Sequence, residues 1–266
     1  MTLASITLAS SEQPPSPGPA DFDLPAVFHI GELGVTKPML LVVLSGFLIV
    51  GLFAQLAKPA AVVPGRAQFA GELVYGFIRN GIARENIGSH DFMRFVPYLF
   101  TIFLFVLVNN FYGLIPFLQF PSMSHIGYPI AIAVMSWIVY NGAGIAKKGF
   151  VGYLKHETVP AGMKGPILLL LVPLEFLSNI LLRPITLTLR LFATMFAGHL
   201  LLILFSLGGE YLLLHSENAL RYPAGVVSVL LAIAISFLEI LIMFLQAYVF
   251  TLLSSMYIGE ALADEH

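Results

Sequence analysis

Five long apolar stretches constrain this chain more than any other feature. They cover about residues 38–57, 95–118, 126–146, 166–207 and 224–258. A helix needs about 20 apolar residues to cross the hydrocarbon core of a bilayer, where no water can satisfy a non-helical backbone. Charge is scarce as well, because 11% of the residues are charged, against about 25% in soluble domains. The sequence therefore predicts an all-α integral membrane protein with about five transmembrane helices.

The last two apolar stretches, 166–207 and 224–258, are longer than a perpendicular membrane helix requires. A helix that exceeds the thickness of the bilayer adapts by tilting, bending or breaking. We therefore expect these two helices to form a long, strongly tilted hairpin.

The remaining regions are polar, with one periodic segment among them. Residues 1–30 are rich in proline and polar side chains, so we expect a disordered tail without a signal peptide, followed by a single membrane domain over 31–266. Apolar residues then recur at helical spacing between the first two spans: Phe69, Leu73, Val74, Phe77, Ile78 and Ile82. This spacing predicts an amphipathic helix on the membrane surface at about 66–88. An ordinary polar loop is the alternative.

Lysine and arginine in the loops predict the orientation of the chain. The basic residues of the loops over 57–94 and 147–165 are Lys58, Arg66, Arg79, Arg84, Arg94, Lys147, Lys148, Lys155 and Lys164. The turn over 119–125 has no charged residue, and the loop over 208–223 is predominantly acidic. Because basic loops remain in the cytoplasm, we expect five spans with the N-terminus outside and the C-terminus inside.

Five ionisable residues interrupt the last two apolar stretches, whereas the first three stretches contain none. They are Glu175, Arg183, Arg190, His199 and Glu239. Each costs roughly 2.5–3.5 kcal/mol at the centre of a membrane helix, so five would cost roughly 10 kcal/mol or more if uncompensated. These side chains must therefore face protein or water, and we expect them to serve the function of the protein.

The order of these residues predicts two polar groups separated by an arginine. If Gln246 is level with Arg190, the antiparallel helices place His199 and Glu239 at similar depth on one side. On the other side lie Glu175, Ser178 and Asn179. Histidine and carboxylates relay protons, whereas arginine stays protonated and blocks them. A proton can then cross only on a second carrier, so we infer a partner subunit that bears a carboxyl group.

Other classes of function find little support. The chain has no cysteine and a net charge of −2, which excludes thiol chemistry and a nucleic-acid partner, and we expect no cofactor or metal. His156-Glu157 resembles the start of a zinc-protease motif, but position 160 is proline rather than histidine. A stand-alone secondary transporter remains the alternative. Many transporters carry internal repeats, and residues 38–146 contain no repeat of the charged half.

Three blocks of the sequence resemble subunit a of bacterial F-type ATP synthases. They are Leu189–Leu200 preceded by Pro173–Phe176 and Arg183-Pro184, then Asn110–Pro116, and Leu245–Phe250 followed by Tyr257. The resemblance covers about residues 30–262. It implies a proton-conducting stator subunit of the bacterial inner membrane, which is not an enzyme on its own. The implied partners are a ring of c subunits, the peripheral-stalk b subunits, the remaining subunits of the complex and membrane lipid.

The resemblance also implies roles for single residues. Arg190 matches the essential arginine that faces the ring carboxylate, and Gln246 matches its polar neighbour. His199 and Glu239 match a coupled pair that lines the outer half-channel. Where this chain has Thr194, the family often has asparagine, but threonine can still donate and accept a hydrogen bond.

Several of these positions also admit a plainer structural role. Glu175 and Ser178 match positions of the inner half-channel, but Glu175 could equally serve as a hydrogen-bond partner in helix packing. Arg183 precedes Pro184, where it could bond carbonyls that the proline leaves free. Asn109 and Asn110 could either join helices or line the proton path.

Overall fold

The computed structural model describes residues 18, 27–30, 33–56, 65–115, 118, 120–159, 167–214 and 222–263. Five described helices are long and apolar enough to cross a membrane: Lys37–Gln55, Phe92–Phe111, Gly127–Lys148, Leu168–Leu214 and Tyr222–Leu262. The predicted all-α membrane fold with five spans is therefore confirmed. Most of the predicted N-terminal tail lies outside the described residues.

The described elements follow one another in a simple order. Two short strands are followed by nine α-helical segments: β1 (Phe28–Ile30), β2 (Leu33–Val35), α1 (Lys37–Leu56), α2 (Arg66–Gly76), α3 (Arg84–Ile87), α4 (Phe92–Phe111), α5 (Gly127–Lys148), α6 (Phe150–Thr158), α7 (Leu168–Phe176), α8 (Arg183–Leu214) and α9 (Tyr222–Leu262). π-Helical turns join α2 to α3 over Phe77–Ala83 and α7 to α8 over Leu177–Leu182. A 3₁₀ turn, Ser122–Ser124, precedes α5.

The two strands form a small antiparallel hairpin just before the first span. Phe28 pairs with Val35 and Ile30 pairs with Leu33. Residues 28–30, which the sequence assigned to the disordered tail, therefore belong to a hydrogen-bonded ladder. Alternation of polar and apolar residues over so few positions is too short a signal to predict a strand.

The segment between the first two spans is helical, as the periodicity predicts, rather than a polar loop. It runs from Arg66 to Ile87 through the π-helical turn. Ile78 and Ile82 on that turn are 0% exposed, so one face of the segment is packed against the protein.

The second span ends earlier than the apolar stretch suggests, at Phe111 rather than near residue 118. The chain turns beyond Tyr112, and Gly113 lies against the ring of Pro121, which would be 3.1 Å from a Cβ at that position. Because Gly113 has no side chain, the proline can approach it closely. Glycine is also unfavourable within a helix, which fits the end of the helix here.

By their packing, the residues fall into two compact units. The described parts of Ala197–Glu239 belong to one, here called the hairpin unit, and those of Pro25–Phe196 and Ile240–His266 form the other, here called the main unit. In the hairpin unit the end of α8 and the start of α9 run antiparallel in close contact. A Cβ on Gly209 would lie 2.8 Å from Val229, and one on Gly225 would lie 2.8 Å from Leu213. Small residues let membrane helices approach in this way.

The main unit has an apolar core to which most of its spans contribute. From α8 and α9 the core takes one face of each helix: Leu187, Leu191, Met195, Met243, Ala247 and Phe250. Phe103 of α4 packs edge-on against Phe244 of α9, with ring centroids 6.0 Å apart. The opposite faces of α8 and α9 remain exposed.

Several helix ends of the main unit meet at one end of its spans. Lys147 at the end of α5 donates a hydrogen bond to the carbonyl of Leu262 at the end of α9, at 2.7 Å. Arg94 at the start of α4 lines a cavity with both of them. We call this the basic end of the main unit.

Candidate functional site

Arg190 lies on the exposed face of α8 in the main unit. Leu187 and Leu191 on the other face are at most 1% exposed, whereas Leu189 beside the arginine is 50% exposed. The hydroxyl of Thr194 donates to the carbonyl of Arg190 at 2.8 Å, so Thr194 contacts the backbone of the arginine. Within the described part of the chain, no acidic side chain forms an ion pair with Arg190. The geometry leaves its cation available to another molecule.

Gln246 has a different environment on α9 of the same unit. It is 5% exposed, while its neighbour Leu245 is 51% exposed. Its amide nitrogen has no hydrogen-bond partner among the described residues. A buried donor without an acceptor costs about 1–3 kcal/mol, which points to a water molecule or a second polar group at this position.

His199 and Glu239 both lie in the hairpin unit and are 4% and 2% exposed. Oε1 of Glu239 would lie 3.5 Å from a Cβ on Gly198, the residue before the histidine. The structure therefore brings the carboxyl of Glu239 against the backbone next to His199. Neither carboxyl oxygen of Glu239 accepts a hydrogen bond from a described residue.

The predicted polar group around Glu175 forms a connected chain of hydrogen bonds in the main unit. The amide of Asn179 donates to Oε2 of Glu175 at 3.0 Å and to the backbone carbonyl of Glu157 at 2.9 Å. Arg183 donates to Oδ1 of Asn179 at 3.0 Å. Ser178 lies on the same π-helical turn but takes no part in these bonds. Of the three residues predicted to form this polar group, the structure joins Glu175 and Asn179 by a hydrogen bond and leaves Ser178 outside the hydrogen-bonded chain.

Arg183 ties three elements together at the basic end. Its guanidinium lies 2.9 Å from Oε2 of Glu260 on α9 and 3.6 Å from Oε2 of Glu157 on α6. The same group lies over the ring of Tyr257, 4.8 Å from its centroid. Arg183 therefore pairs with carboxylates and an aromatic ring. We call Glu157, Glu175, Asn179, Arg183 and Glu260 the Arg183 cluster.

A tryptophan side chain donates a hydrogen bond to the backbone carbonyl that Pro184 leaves without a helical partner. Proline has no N–H, so the carbonyl four residues earlier loses its helical partner. That carbonyl belongs to Ile180, and the indole N–H of Trp137 donates to it at 2.7 Å. The single tryptophan of the chain thus compensates for the proline, a role that the sequence had left open for Arg183.

The two neighbouring asparagines of α4 differ in their bonding. Asn109 donates to Oγ of Ser45 on α1 at 2.9 Å and to the carbonyl of Phe105, so it joins two helices. Asn110 is 0% exposed, yet neither of its side-chain amide atoms has a partner among the described residues. The hydrogen bonds of Asn109 therefore fit a role in helix packing. The side-chain amide of Asn110 has no hydrogen-bond partner among the described residues.

Glu157 and Glu260 are members of the Arg183 cluster that sequence reasoning missed. Glu157 lies within the basic loop over 147–165, and Glu260 lies two residues beyond the last apolar stretch, so neither charge contrasts with its surroundings. The available signal was the positive charge of Arg183 inside an apolar stretch, because such a charge requires acidic partners from elsewhere in the chain.

Comparisons with known proteins give a consistent result. The model of the family described as ATP synthase A chain matches residues 39–259. The chain is 56% identical over 279 residues to a protein of a Nocardioides species named ATP synthase subunit a, with 100% of both chains covered. It is 49% identical to a protein of the same name from Paenarthrobacter aurescens, with 94% of each covered. For that of Rhodococcus erythropolis the identity is 41%, covering 100% of this chain and 96% of the relative.

Proposed function

This chain belongs to the ATP synthase subunit a family, and on that premise we propose that it conducts protons through two offset half-channels and couples their flow to rotation of a c-subunit ring. It is a multi-pass membrane subunit of a complex rather than an enzyme on its own. The observation that carries the proposal is Arg190, a cation exposed on an apolar helix face without an acidic partner among the described residues.

The environment of Arg190 favours a partner with a negative charge. A charged residue in a membrane is costly unless it meets water, protein or an opposite charge. The exposed face around it is apolar, with Ile185 and Leu189 44% and 50% exposed, as suits a surface that slides past another membrane helix. A carboxylate on each ring subunit supplies the missing charge, and its attraction to Arg190 favours the ionised form.

Glu239 and His199 form the outer half-path in this proposal. A carboxyl and an imidazole in one buried region can pass a proton by alternate protonation. The absence of a described donor to Glu239 supports this role, because a carboxyl fixed by several hydrogen bonds would hold its charge. Within the main unit, the buried amide of Asn110, which has no hydrogen-bond partner among the described residues, is suited to hold a water molecule for proton transfer.

Glu175 and Asn179 belong to the inner half-path, which leads to the basic end. We assign this end to the cytoplasm because Arg94, Lys147 and Lys148 lie there. Ser178 faces the same path, and Gln246 supplies a polar group near the arginine barrier. The N-terminus is then outside the cell and the C-terminus inside.

Rotation follows from the separation of the two half-paths. A ring carboxyl that is protonated from the outer path is neutral and can pass through lipid, whereas its ionised form cannot do so cheaply. Arg190 makes the carboxyl release its proton and keeps free protons from crossing directly. Each charge that crosses the membrane then yields about 2.3 kcal/mol per 100 mV, which drives the ring. The peripheral-stalk b subunits, the other subunits and lipid hold the stator in place.

The test replaces Arg190 by alanine in the assembled complex. We expect Arg190→Ala to abolish ATP-driven proton pumping in vesicles and to allow a passive proton leak. Arg190→Lys should also be severely impaired, because lysine lacks the planar fork and loses its proton more readily when buried. Arg84→Ala, at an exposed arginine outside the spans, is the matched control and should pump normally. Substantial pumping by assembled Arg190→Ala complexes would overturn the proposal.

The orientation has its own test, since the chain has no native cysteine. Single cysteines at Val151 and Leu214, which are 78% and 72% exposed, should react with an impermeant reagent from opposite sides of the membrane. Val151 should react from the cytoplasm. Reaction of both from the same side would refute the assigned topology.

A further inference from the structure

We propose that Glu157 is the proton-exchanging group at the cytoplasmic mouth of the inner half-path, where it accepts a proton from the side of Glu175 and releases it to cytoplasmic water. The inference rests on the proton-conducting function proposed above. It adds a residue of the short helix α6, outside the membrane spans, to the path.

The Arg183 cluster contains more acid than its arginine can neutralise. Glu157, Glu175 and Glu260 are joined to the single guanidinium directly or through Asn179. One cation balances one carboxylate, so full ionisation of the three would leave an excess negative charge next to the buried Glu157. Such a group of acids favours holding an exchangeable proton.

The geometry assigns that proton to Glu157. Arg183 lies closer to Glu260, at 2.9 Å, than to Glu157, at 3.6 Å. The side chain of Glu260 is 50% exposed, so water also stabilises its charge, whereas that of Glu157 is 5% exposed. Of the two acids that pair with Arg183, Glu157 therefore has the longer ion pair and the less exposed side chain.

The surroundings of Glu157 act on its pKa in opposite directions. Burial is the largest effect and raises the pKa above its usual value, while Arg183 opposes the rise. His156 and Lys148 also lower the pKa, and Glu260 raises it. The ionisable groups around Glu157 are Arg183 on α8, Glu260 on α9, Lys148 and Tyr140 on α5, and His156 and Tyr153 on α6 itself. The net rise brings the acid nearer to the pH at which it can both take up and release a proton.

Asn179 holds the two acids of this route in place. Its amide nitrogen donates both to the carboxylate of Glu175 and to the backbone carbonyl of Glu157, so α6 cannot move away from the π-helical turn without breaking a bond. The amide does not itself carry the proton. A protonated Glu175 carboxyl gives its proton through water to the Glu157 carboxylate, so Glu175 becomes a carboxylate and Glu157 a neutral acid. Glu157 then passes the proton to cytoplasmic water, which becomes hydronium, and returns to a carboxylate. Asn179 and Arg183 are thus positioning residues.

A purely structural role is the competing explanation, since Glu157 also pins α6 to Arg183. The two roles differ in their dependence on pH. A residue that exchanges protons makes proton flux depend on cytoplasmic pH through its own titration, whereas an anchor affects assembly or stability without changing that profile.

The test measures passive proton flux through vesicles that contain the membrane sector, with the pH of the cytoplasmic face varied. Glu157→Gln keeps a hydrogen-bonding side chain but cannot take up a proton, so we expect flux to fall at least about tenfold and its dependence on cytoplasmic pH to flatten. Glu157→Asp should retain a titrating profile, displaced in pH. Glu260→Gln is the matched control, because it removes the exposed partner of the same arginine and should keep a titrating profile.

A wild-type pH profile in assembled Glu157→Gln complexes would overturn the inference, as would reduced flux with an unchanged profile. If Glu157→Gln fails to assemble, Glu157→Asp decides alone, since an undisplaced profile contradicts a proton-exchanging role. Arg190→Ala separates this outcome from failure of the proposed function. If that variant loses pumping while Glu157→Gln keeps the wild-type profile, only the role of Glu157 is wrong.

Discussion

Two buried acids of this protein, Glu239 and Glu157, are alike in burial and unlike in their partners. They are 2% and 6% exposed. Glu239 lies against Gly198 in the hairpin unit, and neither of its oxygens accepts a hydrogen bond from a described residue. Glu157 lies in the main unit beside an arginine that also binds Glu260. Burial alone therefore does not distinguish an acid that lies beside a cation from one without a hydrogen-bond donor among the described residues.

The difference in partners predicts different consequences of mutation. Removing one partner of a buried ion pair strongly destabilises the fold, because the remaining charge is buried without compensation. A buried acid without hydrogen-bond partners already destabilises the fold, so its replacement should not lower the stability of the protein. Only the function should be reduced. Measurements of flux and of stability on the same variants can therefore test the contrast.

The largest effect should come from Glu239, in flux rather than in stability. We expect Glu239→Gln to lower proton flux by about 100-fold and to leave thermal stability unchanged or slightly raised. Ser236→Ala, one turn earlier on the same helix, is the control, since its hydroxyl bonds only within α9. A marked loss of stability in Glu239→Gln would show that the carboxyl has structural partners and would remove the contrast.

Exchange of the two residues tests whether His199 and Glu239 act as one relay. The double variant His199→Glu with Glu239→His should recover more flux than either single exchange, because it restores one acid and one imidazole to the same region. The comparison needs ATP-driven pumping rates of all three variants at equal assembly. A double variant worse than both single variants would contradict direct coupling.

The second largest effect should come from Arg183, in stability. Arg183→Met leaves Glu157 buried without its cation and should lower the free energy of unfolding by about 3–5 kcal/mol, measured by thermal unfolding of the purified subunit assembly. Arg84→Met, at an exposed arginine, should change it little. Equal stability of the two variants would mean that the Arg183 cluster contributes no more than a surface charge.

A smaller effect is expected at the carbonyl freed by Pro184. Trp137→Phe keeps an aromatic ring but removes the indole donor to Ile180, so it should cost about 1–3 kcal/mol. Met135→Leu, at a 57% exposed position of the same helix, is the control. Wild-type stability in Trp137→Phe would indicate that water or backbone adjustment satisfies the carbonyl.

The smallest effect should distinguish the paired asparagine from the unpaired one. Asn109→Leu removes the bond to Ser45 and should cost about 1 kcal/mol, the usual size of a hydrogen bond between membrane helices. Asn110→Leu loses no described bond and should be neutral or stabilising, while it lowers flux if the amide lines the proton path. The reverse order of stabilities would contradict the bonding described for the pair.

The sequence predicted the features that stand out against an apolar background. Five helices followed from five apolar stretches, because hydrocarbon leaves the backbone no alternative. Arg190, Glu175 and Glu239 were found because charge is rare there. The roles assigned to them remain predictions.

What the sequence did not predict depends on contacts between distant segments. Glu157 lies in a polar region where one more acid is unremarkable, and its burial arises only when α6 packs beside Arg183. Beyond the end of α4 at Phe111, Pro121 likewise packs against Gly113, a contact that hydropathy cannot reveal.

The π-helical turn at Leu177–Leu182 has a consequence for the length of the chain in related proteins. Glu175 and Arg183 are eight positions apart, which in a regular α-helix would turn one about 80° away from the other, whereas seven positions would leave them within about 20°. A π-helical turn accommodates one extra residue while the side chains of both flanking helices keep their orientation about the helix axis. Related proteins can therefore differ by one residue here and still align Glu175 with Arg183. A deletion within α8, by contrast, would rotate Arg190 by about 100° relative to one flank, so length should vary at the turn and not in the helix.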